Sequence, residues 1–172
     1  MKKYKFILSG GGTGGHIFPA LSIAEKIIER FPECELLFVG AQGKMEMKII
    51  PDQGYKINGL WISGFDRNNY FKNIILPLKI IVSFFQSIII HLKFKPDLVI
   101  GTGGFASGPI LFVSSLMKTY TMIQEQNSLP GITNRLLSKK VKKMFVAHNN
   151  MENFFPKHKI IITGNPIRKS FF

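Results

Sequence analysis

The chain has 172 residues, 45% of them hydrophobic, with 23 Lys and Arg against 10 Asp and Glu and a formal net charge of +13. This size and composition fit one domain with a real core and exclude a disordered chain. The positive balance points to a polyanionic partner, whether nucleic acid, anionic lipid or phosphorylated substrate, and the single cysteine, Cys34, excludes an internal disulfide and a Cys-based metal site and fits a reducing compartment.

At the N-terminus, Lys2, Lys3 and Lys5 precede an apolar run, Phe6-Ile7-Leu8, that is too short for the apolar region of a signal peptide. Tyr4–Ser9 reads as a first strand, and it runs into Gly10-Gly11-Gly12-Thr13-Gly14-Gly15-His16. Glycines at this density let a backbone approach a ligand where a Cβ would clash. Such a turn aims N–H groups and a helix N-terminus at one spot suited to phosphate. The alternative is a tight strand-to-helix turn with no ligand. Gly10-x-Gly12-x-x-Gly15 matches the dinucleotide fingerprint. That fingerprint also requires an acid at the end of the second strand, whereas Leu36–Val39 runs into Gly40-Ala41-Gln42. A P-loop is excluded, because His16-Ile17 stands where Lys-Ser/Thr is needed. The helix that follows reaches Phe31, with Pro19 near its first turn and Leu21, Ala24, Ile27, Ile28 and Phe31 on one face.

Lys44–Ile50 is a short predicted helix ended by Pro51 and Gly54, and Tyr55–Ile62 a third strand. Asp97–Gly101 is a fourth strand, followed by a second glycine-rich loop through Gly108 and a helix over Ile110–Met117. Thr121–Gln124 is a fifth strand ending in Glu125-Gln126-Asn127, and Pro130 starts a helix to Leu137. Lys143–Ala147 and Ile160–Thr163 are two last short strands. This alternation implies an α/β fold, a Rossmann-like parallel sheet with helices on both faces. Ligands of such a sheet sit at the carboxyl ends of the strands beside the switch point. Both glycine-rich loops and the Glu125-Gln126-Asn127 stretch therefore converge on one crevice.

The segment Ile74–Leu92, roughly 28 Å long as a helix, is long enough to cross a bilayer. Lys79, Ser83, Gln86, Ser87 and His91 form a polar stripe, opposite Ile74, Leu78, Ile81, Phe85, Ile88 and Leu92. A stripe containing lysine disfavours a lone span. The apolar excess, bordered by Lys72, Lys79, Lys93 and Lys95, suits peripheral binding to an anionic membrane. Surface binding is the first reading, a plain core helix the second and a span the third. The sequence leaves open which apolar side meets the sheet. His148, His158 and the lysines at 139, 140, 142 and 143 read as solvated surface, Trp61 reads as packing, and no metal site is expected.

With these residues in view, the chain resembles the N-terminal half of the MurG family of bacterial cell-wall glycosyltransferases. Four stretches carry the resemblance in order: Gly11-Gly12-Thr13-Gly14-Gly15-His16-Ile17-Phe18-Pro19; Lys95-Pro96-Asp97 with Gly101–Phe105 and Ser107-Gly108-Pro109; Glu125-Gln126-Asn127 with Gly131-Ile132-Thr133-Asn134; and Gly164-Asn165-Pro166-Ile167-Arg168. The resemblance implies a GT-B enzyme with two Rossmann-like domains. It implies inverting transfer of GlcNAc from UDP-GlcNAc to lipid I, forming lipid II at the cytoplasmic face of the bacterial plasma membrane, with no cofactor and no nucleic-acid partner. Residues 1–165 would form the acceptor-binding domain and 166–172 the start of the interdomain linker, with the donor-binding second domain absent. The family's pattern puts a base or orienting group at His16, donor contacts at Thr13, Gly14, Gly15, Asn127 and Arg168, and the acceptor pyrophosphate at Gly12, Gly103, Gly104 and Glu125. Membrane contact would fall on Ile74, Leu78, Ile81, Phe85, Lys72 and Lys79. A histidine that titrates near neutral pH can serve as the one base that inversion needs, and N–H groups and cations can stabilise departing UDP without metal. Without its second half the chain would be inactive alone. It would then be a fragment, one subunit of a split two-chain transferase, or an inactive membrane- or pyrophosphate-binding module. Gln124 stands where some relatives have His.

Overall fold

The computed structural model describes residues 3–66 and 70–167, without the side chains of Tyr70 and Lys72. Seven strands form one parallel sheet. They are β1 (Lys5–Gly10), β2 (Glu35–Ala41), β3 (Lys56–Leu60), β4 (Leu98–Gly103), β5 (Tyr120–Glu125), β6 (Lys143–Val146) and β7 (Ile160–Ile162). Their order is β3-β2-β1-β4-β5-β6-β7. The chain moves outward from β1 to β3 and then crosses back to β4, so the switch point lies between β1 and β4.

Neighbouring strand residues point to opposite faces, and both faces are apolar. Ile7, Val39, Val99 and Ile123 join the core formed with α4 (Ser107–Leu116) and α5 (Ile132–Leu137). Leu8, Phe38 and Ile100 join the opposite core with Ile17, Ala20, Leu21 and Ala24 of α1 (Gly14–Arg30) and Ile50 of α2 (Glu46–Asp52). Near-continuous apolar strands are what a sheet covered on both sides requires.

Several boundaries differ from the sequence reading. Helix α1 begins at Gly14, which places Pro19 beyond its first turn. Ile28 and Phe31 are partly exposed, and the Phe31 ring packs on Tyr4 and Phe6. Helix α2 continues through Pro51 to Asp52, so the proline forgoes one helical N–H bond in the last turn and the helix ends one residue beyond it. Helix α4 starts three residues early, at Ser107, whose hydroxyl donates to the Gly104 carbonyl. Helix α5 starts at Ile132 rather than Pro130.

The long helix α3 spans Leu76–Phe94 and turns its polar stripe inward. Ser83, Ser87 and His91 are its buried residues. The Ser83 and Ser87 hydroxyls donate to carbonyls of their own helix, Ile80 and Ser83. His91 contacts Ser114 on α4 at 3.0 Å through Nδ1 and Thr119 at 3.2 Å through Nε2. Gln86 accepts the Trp61 N–H at 2.8 Å, and Lys79 donates to Ser63 at 3.1 Å above the Trp61 ring. The face left to solvent holds Leu78 (51% exposed), Ile81 (54%) and Phe85 (63%), with Ile74 (76%) just ahead of the helix. The question the sequence left open is thus decided: the apolar side carrying Leu78 and Phe85 points away from the sheet.

Burial lowers the pKa of His91. The unfolded chain takes up a proton at the ordinary histidine value, about 6.5, while the folded protein resists it to lower pH. The His91 contribution is therefore intact above that value and is lost as pH falls below it. We expect Tm to fall between about pH 7.5 and pH 5.5, with a shallower fall in His91→Gln; equal slopes in a thermal denaturation series would remove His91 as a cause.

Candidate active site

The carboxyl ends of β1, β4 and β5 bring three loops together. The first two interlock through their backbones. Gly10 pairs with Gly103 across a register shift after Ser9, and the Gly11 N–H reaches the Gly103 carbonyl at 3.4 Å. A Cβ on Gly104 would overlap the Gly11 carbonyl oxygen, and Gly104 has φ of +78°. Only glycine satisfies both conditions. A Cβ on Gly103 would stand 2.9 Å from the His16 ring.

His16 is half-buried in the first turn of α1, not on a fully exposed loop. Its Nδ1 lies 2.9 Å from the Thr102 carbonyl oxygen and 3.2 Å from Gln126 Oε1. Both partners are acceptors, since Gln126 Nε2 is itself occupied as a donor to Thr102 and Gln124. The proton therefore belongs on Nδ1, leaving the Nε2 lone pair for a ligand. The Thr102 hydroxyl donates back to the His16 carbonyl at 2.7 Å, so imidazole and main chain are both held from β4.

The third loop is organised by Glu125, which is fully buried. Its Oε1 accepts from the backbone and side-chain nitrogens of Asn127, and its Oε2 from Gly131 N–H and Asn134 Nδ2. Those four bonds fill its acceptor positions, leaving exposed Asn127 as the part of the loop that faces outward. Asn134 Oδ1 is a buried side-chain acceptor without a partner among the described residues. Gln126 also bonds Gln124, which reaches Asn165, whose amide returns to the Gln126 carbonyl at 3.4 Å. This network ties His16 to the segment leaving the last strand.

Thr13, Gly14 and Gly15 sit at the N-terminus of α1. Their N–H groups have no protein partner among the described residues. The Gly12 N–H, by contrast, donates to Glu46 Oε2 at 3.0 Å. Beside these loops a cleft of about 550 Å³, lined by Lys44, Ser63, Phe65, Ile75, Lys79 and Phe105, leads to the start of α3. A groove of about 630 Å³ near Tyr55, Asn58 and Ile90 lies at the opposite end of the sheet and contains none of the predicted catalytic, donor or acceptor residues. Arg168 and the Lys72 side chain fall outside the described residues. No group of metal-ligating side chains occurs among the described residues, and His148 and His158 are exposed. Sequence reasoning missed Glu46, Thr102 and Gln126 as parts of the site. Thr102 and Gln126 stood inside motifs already singled out, whereas Glu46 stood in none.

The seven-strand parallel sheet with the 3-2-1-4-5-6-7 order, helices on both faces and a glycine-loop crevice at the switch point matches the N-terminal domains of GT-B glycosyltransferases. Residues 6–146 match the glycosyltransferase family 28 N-terminal domain, and the chain belongs to that family. It is 57% identical over 98% of its length to the UDP-N-acetylglucosamine–N-acetylmuramyl-(pentapeptide) pyrophosphoryl-undecaprenol N-acetylglucosamine transferase of Flavobacterium psychrophilum, and 55% identical over 98% to that of Cytophaga hutchinsonii. In each case it spans 46% of the relative's length. The crystal structure of Acinetobacter baumannii MurG superposes with a TM-score of 0.80 at 29% identity, covering 96% of this chain and 47% of that one. A UDP-GlcNAc 2-epimerase from Neisseria meningitidis shares the fold at TM-score 0.65 and 18% identity, over 94% of this chain and 46% of that one.

Proposed function

We propose that this chain is the acceptor-side half of a transferase that moves GlcNAc from UDP-GlcNAc to lipid I, giving lipid II. The observation that carries the reading is His16, with Nδ1 bound to the Thr102 carbonyl and Nε2 left open beside two interlocked glycine loops. In this reading Nε2 takes the proton of the attacking sugar hydroxyl, or orients that hydroxyl. The bond to UDP breaks from the opposite face, so the anomeric centre inverts. The free N–H groups of Thr13, Gly14 and Gly15 receive diphosphate charge at the helix N-terminus. Asn127 and Arg168 add donor contacts. The turns through Gly12, Gly103 and Gly104, whose missing side chains make room for Phe105, His16 and the Gly11 carbonyl, border the place of the acceptor pyrophosphate, and Glu125 acts through the loop it holds. Residues 1–165 are the acceptor domain, and the chain from 166 onward starts the connection to a second, donor-binding domain.

The acceptor is a lipid, and two features suit it. The cleft lined by Lys44 and Lys79 joins the glycine loops to α3. From there the exposed row of Ile74, Leu78, Ile81 and Phe85 offers an apolar face for the membrane. Helix α3 is long and apolar enough to cross a bilayer. Its inward serines and His91, the latter bonded to Ser114 of α4, favour a helix lying at the cytoplasmic surface of the membrane; Lys79, held inward on Ser63 and over the Trp61 ring, belongs to the cleft and not to the membrane face that the sequence suggested for it.

The test is transfer assayed with and without the other half. The 172-residue protein alone should release no UDP from UDP-GlcNAc and a lipid I analogue, because it spans 46% of its relatives' length and the donor-binding domain of this reading lies in the remainder. Joined to the C-terminal half of the Flavobacterium relative, or mixed with that half as a separate chain, it should form lipid II. Activity of the chain alone would contradict the division of labour. Failure of both the joined and the mixed forms, with each folded, would favour an inactive binding module.

A further inference from the structure

We infer that Glu46 is the positioning residue of the first glycine-rich loop: its carboxylate fixes the orientation of the Gly11–Gly12 peptide and so decides which N–H groups face the crevice. The inference deepens the proposed function, on which it rests only for the nature of the loop's ligand.

Glu46 is the first residue of α2 and is wholly buried. No cation pairs with it among the described residues. A buried carboxylate without a counter-charge is costly unless strong hydrogen bonds replace its water. Here each oxygen accepts one main-chain N–H, Oε2 from Gly12 and Oε1 from Ala41, both at 3.0 Å. One donor closes β2 and the other follows β1, so this one side chain ties the end of β2 to the loop after β1.

The glycines around it support the same role. A Cβ on Gly11 would overlap the Glu46 carboxylate, and one on Gly40 would stand 2.6 Å from its Cγ. Gly11 and Gly40 thus make room for Glu46, which corrects the assignment of every glycine in the first loop to ligand approach. Because the Gly12 N–H points at Glu46, the carbonyl of the same peptide points the other way, against Gly104. Reversing that peptide would set a carbonyl oxygen against a carboxylate, which is repulsive. The loop is therefore held with the Gly12 N–H withdrawn and those of Thr13, Gly14 and Gly15 presented. The same arrangement bears on specificity. A dinucleotide site spends an acid near this place on a ribose hydroxyl, whereas the Glu46 carboxylate is wholly buried beneath the loop and directed at the Gly12 and Ala41 N–H groups.

The test is NMR of the 172-residue protein with inorganic pyrophosphate as the probe. In the wild type, the Gly12 and Ala41 amide nitrogens should show scalar coupling across the hydrogen bond to the Glu46 carboxyl carbon. Glu46→Gln keeps the shape but presents one N–H₂ to an N–H. It should move the amide resonances from Gly11 to Gly15, leave those of β5–β7 in place, and weaken pyrophosphate binding, read at Thr13–Gly15, at least tenfold. Absence of the Gly12 coupling would overturn the inference. So would a folded Glu46→Gln protein with a lowered Tm but unmoved loop amides and wild-type affinity, the pattern of a merely structural group. If Glu46→Gln does not fold, the wild-type couplings decide. If the wild type does not bind pyrophosphate, the proposed ligand fails while the couplings and the loop shifts still judge Glu46.

Discussion

Replacing His16 by alanine is expected to lower turnover of the joined enzyme by about 10²- to 10⁴-fold, the usual contribution of a positioned general base. The substitution removes the group whose Nε2 is open and whose Nδ1 is anchored on Thr102 and Gln126. It should cost the fold little. The Thr102 carbonyl retains Gln126 Nε2 as a donor at 2.9 Å, so about one net hydrogen bond is lost, worth roughly 1 kcal/mol. That corresponds to a Tm change of a few degrees. Steady-state kinetics and calorimetry on the same preparation separate the two effects. Wild-type turnover in His16→Ala would remove this residue from the chemistry. A collapse of Tm matching the loss of rate would make its role structural.

Placing glutamate at both Leu78 and Phe85 is expected to abolish vesicle binding without unfolding the domain. Both side chains lie on the outward face of α3, more than half exposed, so neither substitution buries a charge in the protein. Each removes about 2 kcal/mol of apolar insertion, and together they should weaken partitioning on the order of 100-fold or more. Binding of the wild type should rise with anionic lipid and fall as salt shortens the screening length from about 10 Å at 0.1 M to about 3 Å at 1 M. Flotation with liposomes of defined composition measures both effects, and circular dichroism checks the fold. Unchanged flotation of the double variant, or equal binding to neutral and anionic vesicles at every salt concentration, would reject the surface-bound helix. Resistance of the wild type to high-salt and alkaline extraction would point to a span.

Much of the fold is legible along the chain because it is written in local signals. Strand and helix alternate with the expected periods, and the glycine-rich loops mark two of the strand ends beside the switch point. From order alone the three loops could be expected to meet, since a parallel sheet aligns all its carboxyl ends. Two of the displaced boundaries fall beside prolines. Pro51 and Pro130 suggested an end and a start, yet a proline in the last turn forgoes only one helical N–H bond and one just before a helix forgoes none, so neither marks the exact limit of α2 or α5.

The sequence by itself determined the fold class, the crevice loops, His16 as a titratable group at their mouth, and an apolar helix too polar on one side to be a simple span. Tertiary structure decided which way that helix faces. Helical periodicity is the same whichever side is buried, and only the partners on α4, Ser114 with neighbouring Thr119, give His91 a reason to turn inward. Glu46 was decided in the same way. An acid five residues beyond β2 has no local mark distinguishing it from a solvated surface charge. Its role arises because β1 and β2 lie side by side, which brings the Gly12 and Ala41 N–H groups to one carboxylate and leaves no water between them.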